Sequence, residues 1–192
     1  MLAKKATNAE IMKQVIYEML TLAYCIELMM KNKPTKGQSH IDSSEVTQIT
    51  AAIKIRLLYD FLYGKKANEK SDVEVDGYTA LDDFGIKVPK PSLVGCCTKG
   101  MFTKESILRY VVFLTKERIL KSKDLPEPKF KGGAKTAMVN SALILSSAEK
   151  FIDALVKESF MNLNQESENY LCDFKHTITR LKEIPEFKAN YN

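Results

Sequence analysis

The chain has 192 residues and a mass of 21.7 kDa, which is the size of one ordinary globular domain. It is 45% hydrophobic and 28% charged, a balance that excludes an intrinsically disordered or fibrous protein. The net charge of +5 is modest, and the lysines are spread over most connecting segments rather than gathered on one predicted face. A hydrated basic surface accounts for them, and we predict a single domain over residues 1–192.

No segment of the sequence indicates export or membrane insertion. Met1–Thr7 contains lysines, but no apolar run follows them as it would in a signal peptide. Apolar stretches are interrupted by charge well before the ~20 residues that a membrane span requires. Cys25 and Cys172 lie in helical patterns, and neither a CxxC motif nor a zinc-ligand spacing occurs. We expect a cytoplasmic protein with no membrane partner, no bound metal and no cofactor.

Two helices are predicted in the first third of the chain. Thr7 and Glu10 form a capping box, and the helix that follows ends near Lys33-Pro34. A second helix begins at Asp42 and ends at Gly64. It is apolar around most of its circumference, so we predict that it is the central helix of the fold. The apolar stripe of the first helix consists of Ile11, Val15, Met19, Leu22, Ile26 and Met29.

The rest of the chain adds one long loop and three helices. Residues 65–102 are rich in glycine and carboxylates, which predicts a loop of unusual length. Helices follow over about 103–121, from Gly132-Gly133 onward, and over about 165–183, where Pro185 ends the last one and the tail is expected to fray. The pattern predicts an all-α fold, an antiparallel bundle of about five helices. The apolar face of the fourth helix consists of Met138, Ala142, Leu145, Ile152, Leu155 and Val156.

Two segments carry candidate ion sites. Residues 72–77 match the opening of a calcium loop, and Asp83 falls at its twelfth position. That position usually holds glutamate and no helix is expected after it, so a hydrated acidic turn is the alternative. Lys131 and Lys135 flank the glycine-rich start of the fourth helix, whose free amides are suited to phosphate or sulfate. The alternative is that the glycines only relax the helix start.

Two pairs of polar side chains stand four residues apart on predicted helices. Arg56 and Asp60 lie in the most apolar helix, where an arginine is costly unless it is paired. A structural ion pair is favoured, a ligand-binding role is the alternative, and we name the two residues the candidate polar site. Cys172 and His176 have the spacing of a nucleophile and its base. Because no activating environment is visible around them, an incidental pairing is favoured. We assign no catalytic residue.

One stretch of the chain resembles a known family. The helix Ala51–Tyr63, read as AAIKIRLLYDFLY, is similar to the Arg-Asn-Leu-Ile-Asp-Phe-Leu-Phe type of helix in small bacterial HEPN-like proteins. Asp82-Asp83-Phe84 and Val111–Arg118 resemble that group's acidic turn and its Ala-His-Leu-Thr segment, so the resemblance covers roughly residues 45–120. It implies a helical bundle that is commonly dimeric and, in active members, a metal-independent ribonuclease with an Arg-x(4–6)-His motif.

The sequence departs from that family at the catalytic histidine. Phe113 stands where the group's histidine would fall, and neither His40 nor His176 follows an arginine at the required spacing. Because an imidazole is the natural proton shuttle for RNA cleavage near neutral pH, we do not expect nuclease activity.

The residues leave three functions open. The first is a non-enzymatic, HEPN-like helical bundle that acts by protein association or ligand binding, with a homodimer as one expected arrangement. The second is an RNA-binding or RNA-processing protein of the defence type that uses the basic loops. The third is a small-molecule-binding bundle with its pocket beneath residues 65–102. No DNA partner is predicted.

Overall fold

The computed structural model of the protein describes residues 7–31, 43–64, 78–93, 133–157 and 163–191. These residues contain helices and connecting segments but no strand, so the all-α prediction is confirmed. None of the described helices is long and apolar enough to cross a membrane. The predicted helix over 103–121 lies outside the described residues. The described helices are α1 (Asn8–Lys31), α2 (Ser43–Tyr63), α3 (Ala80–Phe84), α4 (Gly133–Lys157), α5 (Gln165–Leu181) and α6 (Pro185–Asn190).

The predicted start of α1 and the predicted end of α2 are confirmed. The Thr7 amide donates to Glu10 Oε2 at 2.7 Å, and the Glu10 amide donates to Thr7 Oγ1 at 3.3 Å, which completes the capping box. All six residues of the predicted α1 stripe are buried. At the end of α2 the Gly64 amide donates to the Asp60 carbonyl oxygen at 2.8 Å, and a Cβ at Gly64 would clash with that same oxygen. Glycine is therefore required at this position.

Helices α1 and α2 run antiparallel. Lys54 of α2 pairs with Glu18 of α1, and Phe61, farther along α2, shares a groove with Ile11 near the start of α1. Ile55, Leu58 and Leu62 form the buried face of α2. This pair of helices therefore has the predicted direction.

Helices α1 and α5 run parallel, which the antiparallel prediction did not anticipate. Lys13 Nζ lies 2.6 Å from Glu166 Oε2 near the start of both helices, and Arg180 Nε lies 2.7 Å from Glu27 Oε1 near the end of both. The Tyr17 ring lies between these contacts, with its centroid 5.8 Å from that of a tyrosine in α5. Only short connections force neighbouring helices to alternate in direction, and α1 and α5 are distant in sequence.

Over its described middle, α4 is more completely buried than α2, which was predicted to be the central helix. From Ala137 to Ala148 every residue of α4 is buried or half-buried, whereas Leu57 and Asp60 of α2 are exposed. Many of these α4 side chains are short, which lets neighbouring helices approach closely. Ser147 is accommodated because its hydroxyl donates to the Leu143 carbonyl at 2.9 Å.

The fourth-helix stripe is buried as predicted except at its end. Met138, Ala142, Leu145, Ile152 and Leu155 are buried, but Val156 is 51% exposed. Val156 lies one residue before the end of α4, where the helix borders an open cleft toward α5.

The segment predicted as a long loop contains a helix. α3 begins with Thr79 as its N-cap and ends at Gly85, whose φ of 68° is in the left-handed region that favours glycine. Phe84 of α3 packs edge-on against Phe61 of α2 and Phe151 of α4, with ring centroids 6.1 and 5.5 Å away. These three rings join three helices, so this part of the 65–102 segment belongs to the core.

The expected fraying of the tail is also wrong. Pro185 is the first residue of α6, where its fixed φ favours helix formation and its missing N–H costs no bond. Phe187 is fully buried and Tyr191 is 7% exposed. The Tyr191 hydroxyl donates to Glu149 Oε2 of α4 at 2.9 Å, so the tail is held on the core.

Candidate functional site

The candidate polar pair forms, but on the surface of α2. Arg56 Nε donates to Asp60 Oδ2 at 2.7 Å, and the two side chains are 35% and 51% exposed. An exposed pair at this spacing stabilises a helix by only about 0.3–0.5 kcal/mol. The pairing predicted from the sequence is thus observed, whereas the position in an apolar core is not. Leu57, the next residue, is exposed as well.

The candidate ion sites are only partly described. Lys131 and the side chain of Lys135 lie outside the described residues, so the anion site stays a prediction, as does a cation site that uses residues 72–77. Asp83 serves as a helix cap, because the Thr79 amide donates to its Oδ2 at 2.7 Å. Within the described ranges, no group of three or more histidine, cysteine, aspartate or glutamate side chains is arranged to hold a metal ion.

Cys172 and His176 border an open cleft of about 610 Å³ between α4 and α5. Their Sγ and Nδ1 atoms are 4.0 Å apart, and both residues are exposed. A nucleophile and its base are usually about 2.6–3.2 Å apart, so the geometry agrees with the incidental pairing favoured from the sequence.

A second open groove lies between the first half of α1 and the second half of α2, and we call it the α1–α2 groove. Its volume is about 500 Å³. Ile11, Val15, Leu58 and Phe61 line it although each is less than a tenth exposed, so the floor of the groove consists of core side chains. Leu57 also borders the groove and is 48% exposed. The remaining lining residues are Glu10, Gln14, Glu18 and Tyr78.

An ion pair between the two helices lies beside this groove. Glu18 and Lys54 are paired, with side chains 13% and 19% exposed, so both charges are largely shielded from water. Gln14 Nε2 donates to Glu18 Oε1 at 2.6 Å. Burial raises the pKa of the nearby Cys25 thiol, and the positive charge of Lys54 lowers it in part. The groove therefore has an apolar floor and one polar wall with a defined hydrogen-bond pattern.

Sequence reasoning did not identify the groove. The sequence predicts a second helix that is apolar around most of its circumference, and the buried face of α2 is centred on residues 55, 58 and 62. Such a helix shows no single preferred apolar face, so only the packing of its neighbours reveals which apolar residue remains exposed. Tyr78, from the segment predicted as a loop above a pocket, borders the groove.

The α3 cap, in contrast, has a signal that was present in the sequence. Thr79 is followed three residues later by an acidic residue, and Gly85 follows shortly after, which is the pattern of a capped short helix.

Comparison with known proteins gives no relative. The chain matches no protein-family model, no curated protein and no solved structure, so the geometry of the described residues carries the functional argument.

Proposed function

We propose that the protein is a non-enzymatic association module that binds a helical segment of a partner protein in the α1–α2 groove. The observation that carries the proposal is the exposure of Leu57, 48%, beside a floor of core side chains. An open apolar groove between two helices is the geometry that receives the apolar face of a third helix. Exposed apolar surface that continues into a groove of core side chains supports an interaction site.

The HEPN-like relationship and a cytoplasmic location are part of this proposal. The all-α fold supports the relationship, and the position of Phe113 in place of the family's histidine supports a role without nuclease chemistry. The RNA-binding alternative depends on basic loops that lie mostly outside the described residues.

A neutral helical peptide tests the groove. The probe is a labelled peptide of about 18 residues with leucine on one helical face and glutamine on the other, and binding is followed by fluorescence anisotropy. We expect Leu57→Asn to weaken binding about tenfold or more, because it places a polar group beside the apolar floor. Leu81→Asn is the matched control, since Leu81 is also 48% exposed but lies outside the groove. Equal binding by the two variants would contradict the proposal.

A homodimer is the second candidate, and a separate row of side chains favours it. Tyr17, Tyr24 and Leu28 lie on one face of α1 and are 44%, 40% and 48% exposed. The charged residues near both ends of this row are occupied by the ion pairs between α1 and α5. Aromatic residues with little free charge are typical of the centre of an interface.

Sedimentation velocity tests the homodimer. We expect a dimer that dissociates in Leu28→Glu and persists in Leu57→Glu, because only Leu28 belongs to the exposed row on α1. A wild-type protein that is monomeric at about 100 μM, a concentration at which even a micromolar dimer would form, would exclude it.

A further inference from the structure

We infer that α1 pairs with α1 of a second copy of the chain, and that the two helices run antiparallel. The inference rests on the homodimer, the second candidate function, and it specifies the surface and the direction of pairing. A strip on α1, which we call the α1 seam, recurs at alternating intervals of three and four residues. It consists of Gln14, Tyr17, Thr21, Tyr24, Leu28 and Lys31. This spacing is that of the contact positions in a coiled coil.

The α1 seam is the exposed strip of a helix that is otherwise covered. Thr21 is half-buried and the rest of the seam is exposed, whereas every other residue from Ile11 to Met30 is buried or half-buried. Because α2, α4 and α5 pack against the other sides of α1, a partner helix contacts α1 along this strip. With a rise of 1.5 Å per residue, the seam is about 26 Å long, nearly five helical turns.

The polar groups beside the centre of the seam already have partners. The Thr21 hydroxyl donates to the Tyr17 carbonyl oxygen at 2.8 Å, so this hydroxyl does not need water as an acceptor. The charged residues that flank the seam are paired with neighbouring helices: Lys13 with Glu166, Glu18 with Lys54, and Glu27 with Arg180. An interface over the centre of the seam therefore avoids the cost of burying an isolated charge.

The order of residues along the seam favours a second copy in the antiparallel direction. The intervals are the same in both directions, so an antiparallel copy with its two-fold axis midway along the seam matches it position by position. Tyr17 then lies level with Leu28 of the second copy, and the shorter Thr21 lies level with Tyr24. A two-fold interface requires this reciprocity. In a parallel pair each residue would meet its own copy, and Lys31 would be repelled by Lys31.

Disulfide cross-linking between single cysteines tests the direction. Tyr17→Cys and Leu28→Cys are prepared separately, one of them with a tag so that mixed dimers differ in mass from dimers of one variant. After air oxidation we expect the mixture to give at least about fivefold more linked dimer than either variant alone. The reason is that two antiparallel copies of the same variant hold their thiols about 16 Å apart along the helix, beyond the reach of a disulfide.

The background and the control exclude other cross-links. Both variants also carry Cys96→Ser, Cys97→Ser and Cys172→Ser, and Cys25 is kept because it is only 7% exposed. Leu81→Cys in the same background is the control, since Leu81 is 48% exposed but lies on α3. It should give no linked dimer, alone or in mixtures. Circular dichroism checks that each variant is folded.

A second pair of variants serves if Tyr17→Cys or Leu28→Cys dissociates the dimer in reducing buffer, which sedimentation velocity measures. Gln14→Cys and Lys31→Cys lie at the two ends of the seam and leave its apolar centre intact. They too are level with each other only in the antiparallel pair, so the same preference for the mixture is expected.

Failure of this inference differs from failure of the homodimer. Linked dimer from each variant alone, or in equal amounts from the mixture and from each variant, would overturn the antiparallel pairing. A dimer that Leu28→Glu dissociates but that no mixture links would keep the homodimer and overturn its direction. A monomer at about 100 μM would end both ideas. A dimer that only Leu57→Glu dissociates would place the second copy in the α1–α2 groove and would also overturn the seam.

Discussion

Truncating Phe187 to alanine tests whether α6 belongs to the core. Phe187 is fully buried, stacks on Tyr191 with ring centroids 5.4 Å apart, and lies on a helix that packs against α4. A buried Phe→Ala change costs about 3–5 kcal/mol, because it removes apolar burial and leaves a cavity. For a chain of this size each 1 kcal/mol lowers Tm by roughly 2–4 °C. The expected fall in Tm is therefore roughly 6–20 °C.

Urea denaturation followed by circular dichroism measures the loss in the free energy of unfolding. Lys188→Ala is the control. Lys188 is the next residue and is exposed, so its truncation should change the free energy of unfolding by less than about 0.5 kcal/mol. If α6 detaches on its own before the rest unfolds, limited proteolysis should cut Phe187→Ala near α6 while the other helices stay protected. If Phe187→Ala lowers the free energy of unfolding by less than about 1 kcal/mol and shows no new cleavage near α6, the packing of α6 on the core would be refuted.

Three further predictions concern charged and ionisable groups. Glu18→Gln and Lys54→Met should each lower the free energy of unfolding by about 1–3 kcal/mol. The loss in the double variant should be smaller than the sum of the two single losses by at least about 0.5 kcal/mol. Additive losses in urea denaturation would contradict an energetic coupling between Glu18 and Lys54. Burial raises the pKa of Tyr191 above its ordinary value of 10.0, so stability should be lost as the pH rises past about 10, where only the unfolded chain ionises this group. The decline in Tm at alkaline pH should be shallower in Tyr191→Phe than in the wild-type protein. Equal slopes in the two proteins would contradict a raised pKa of Tyr191. Arg180 holds the pKa of Glu27 below its ordinary value of 4.5, so the stability it contributes should be lost as the pH falls below that range. Arg180→Ala should make the decline in Tm at acid pH shallower. An unchanged decline would contradict the effect of Arg180 on the pKa of Glu27.

The predictable part of the fold consists of local patterns. The capping box at Thr7 and the glycine stop at Gly64 were readable because their hydrogen bonds connect residues three or four positions apart. The pairing of Arg56 with Asp60 was readable for the same reason. Each of these predictions required only helix geometry.

The candidate groove depended on contacts between distant segments. Leu57 looks like Leu58 in the sequence, yet Leu57 is 48% exposed and Leu58 is 1% exposed. The difference arises because α1 and α4 cover one side of α2 and leave another open. No local pattern carries that information, because α2 is apolar around most of its circumference.

The sequence by itself determined that the described chain is helical, where α1 begins and α2 ends, and which stripe of α1 is buried. Helical propensity, capping and apolar spacing act over a few residues, so they are properties of the sequence. Only the tertiary structure decided that α1 and α5 run parallel, that the middle of α4 is fully covered, and that the tail docks through Phe187. These outcomes depend on which apolar faces fit together across long separations in sequence, and that choice is made by packing of the whole fold. The α1–α2 groove belongs to the second kind, since it is the space that this packing leaves beside Leu57.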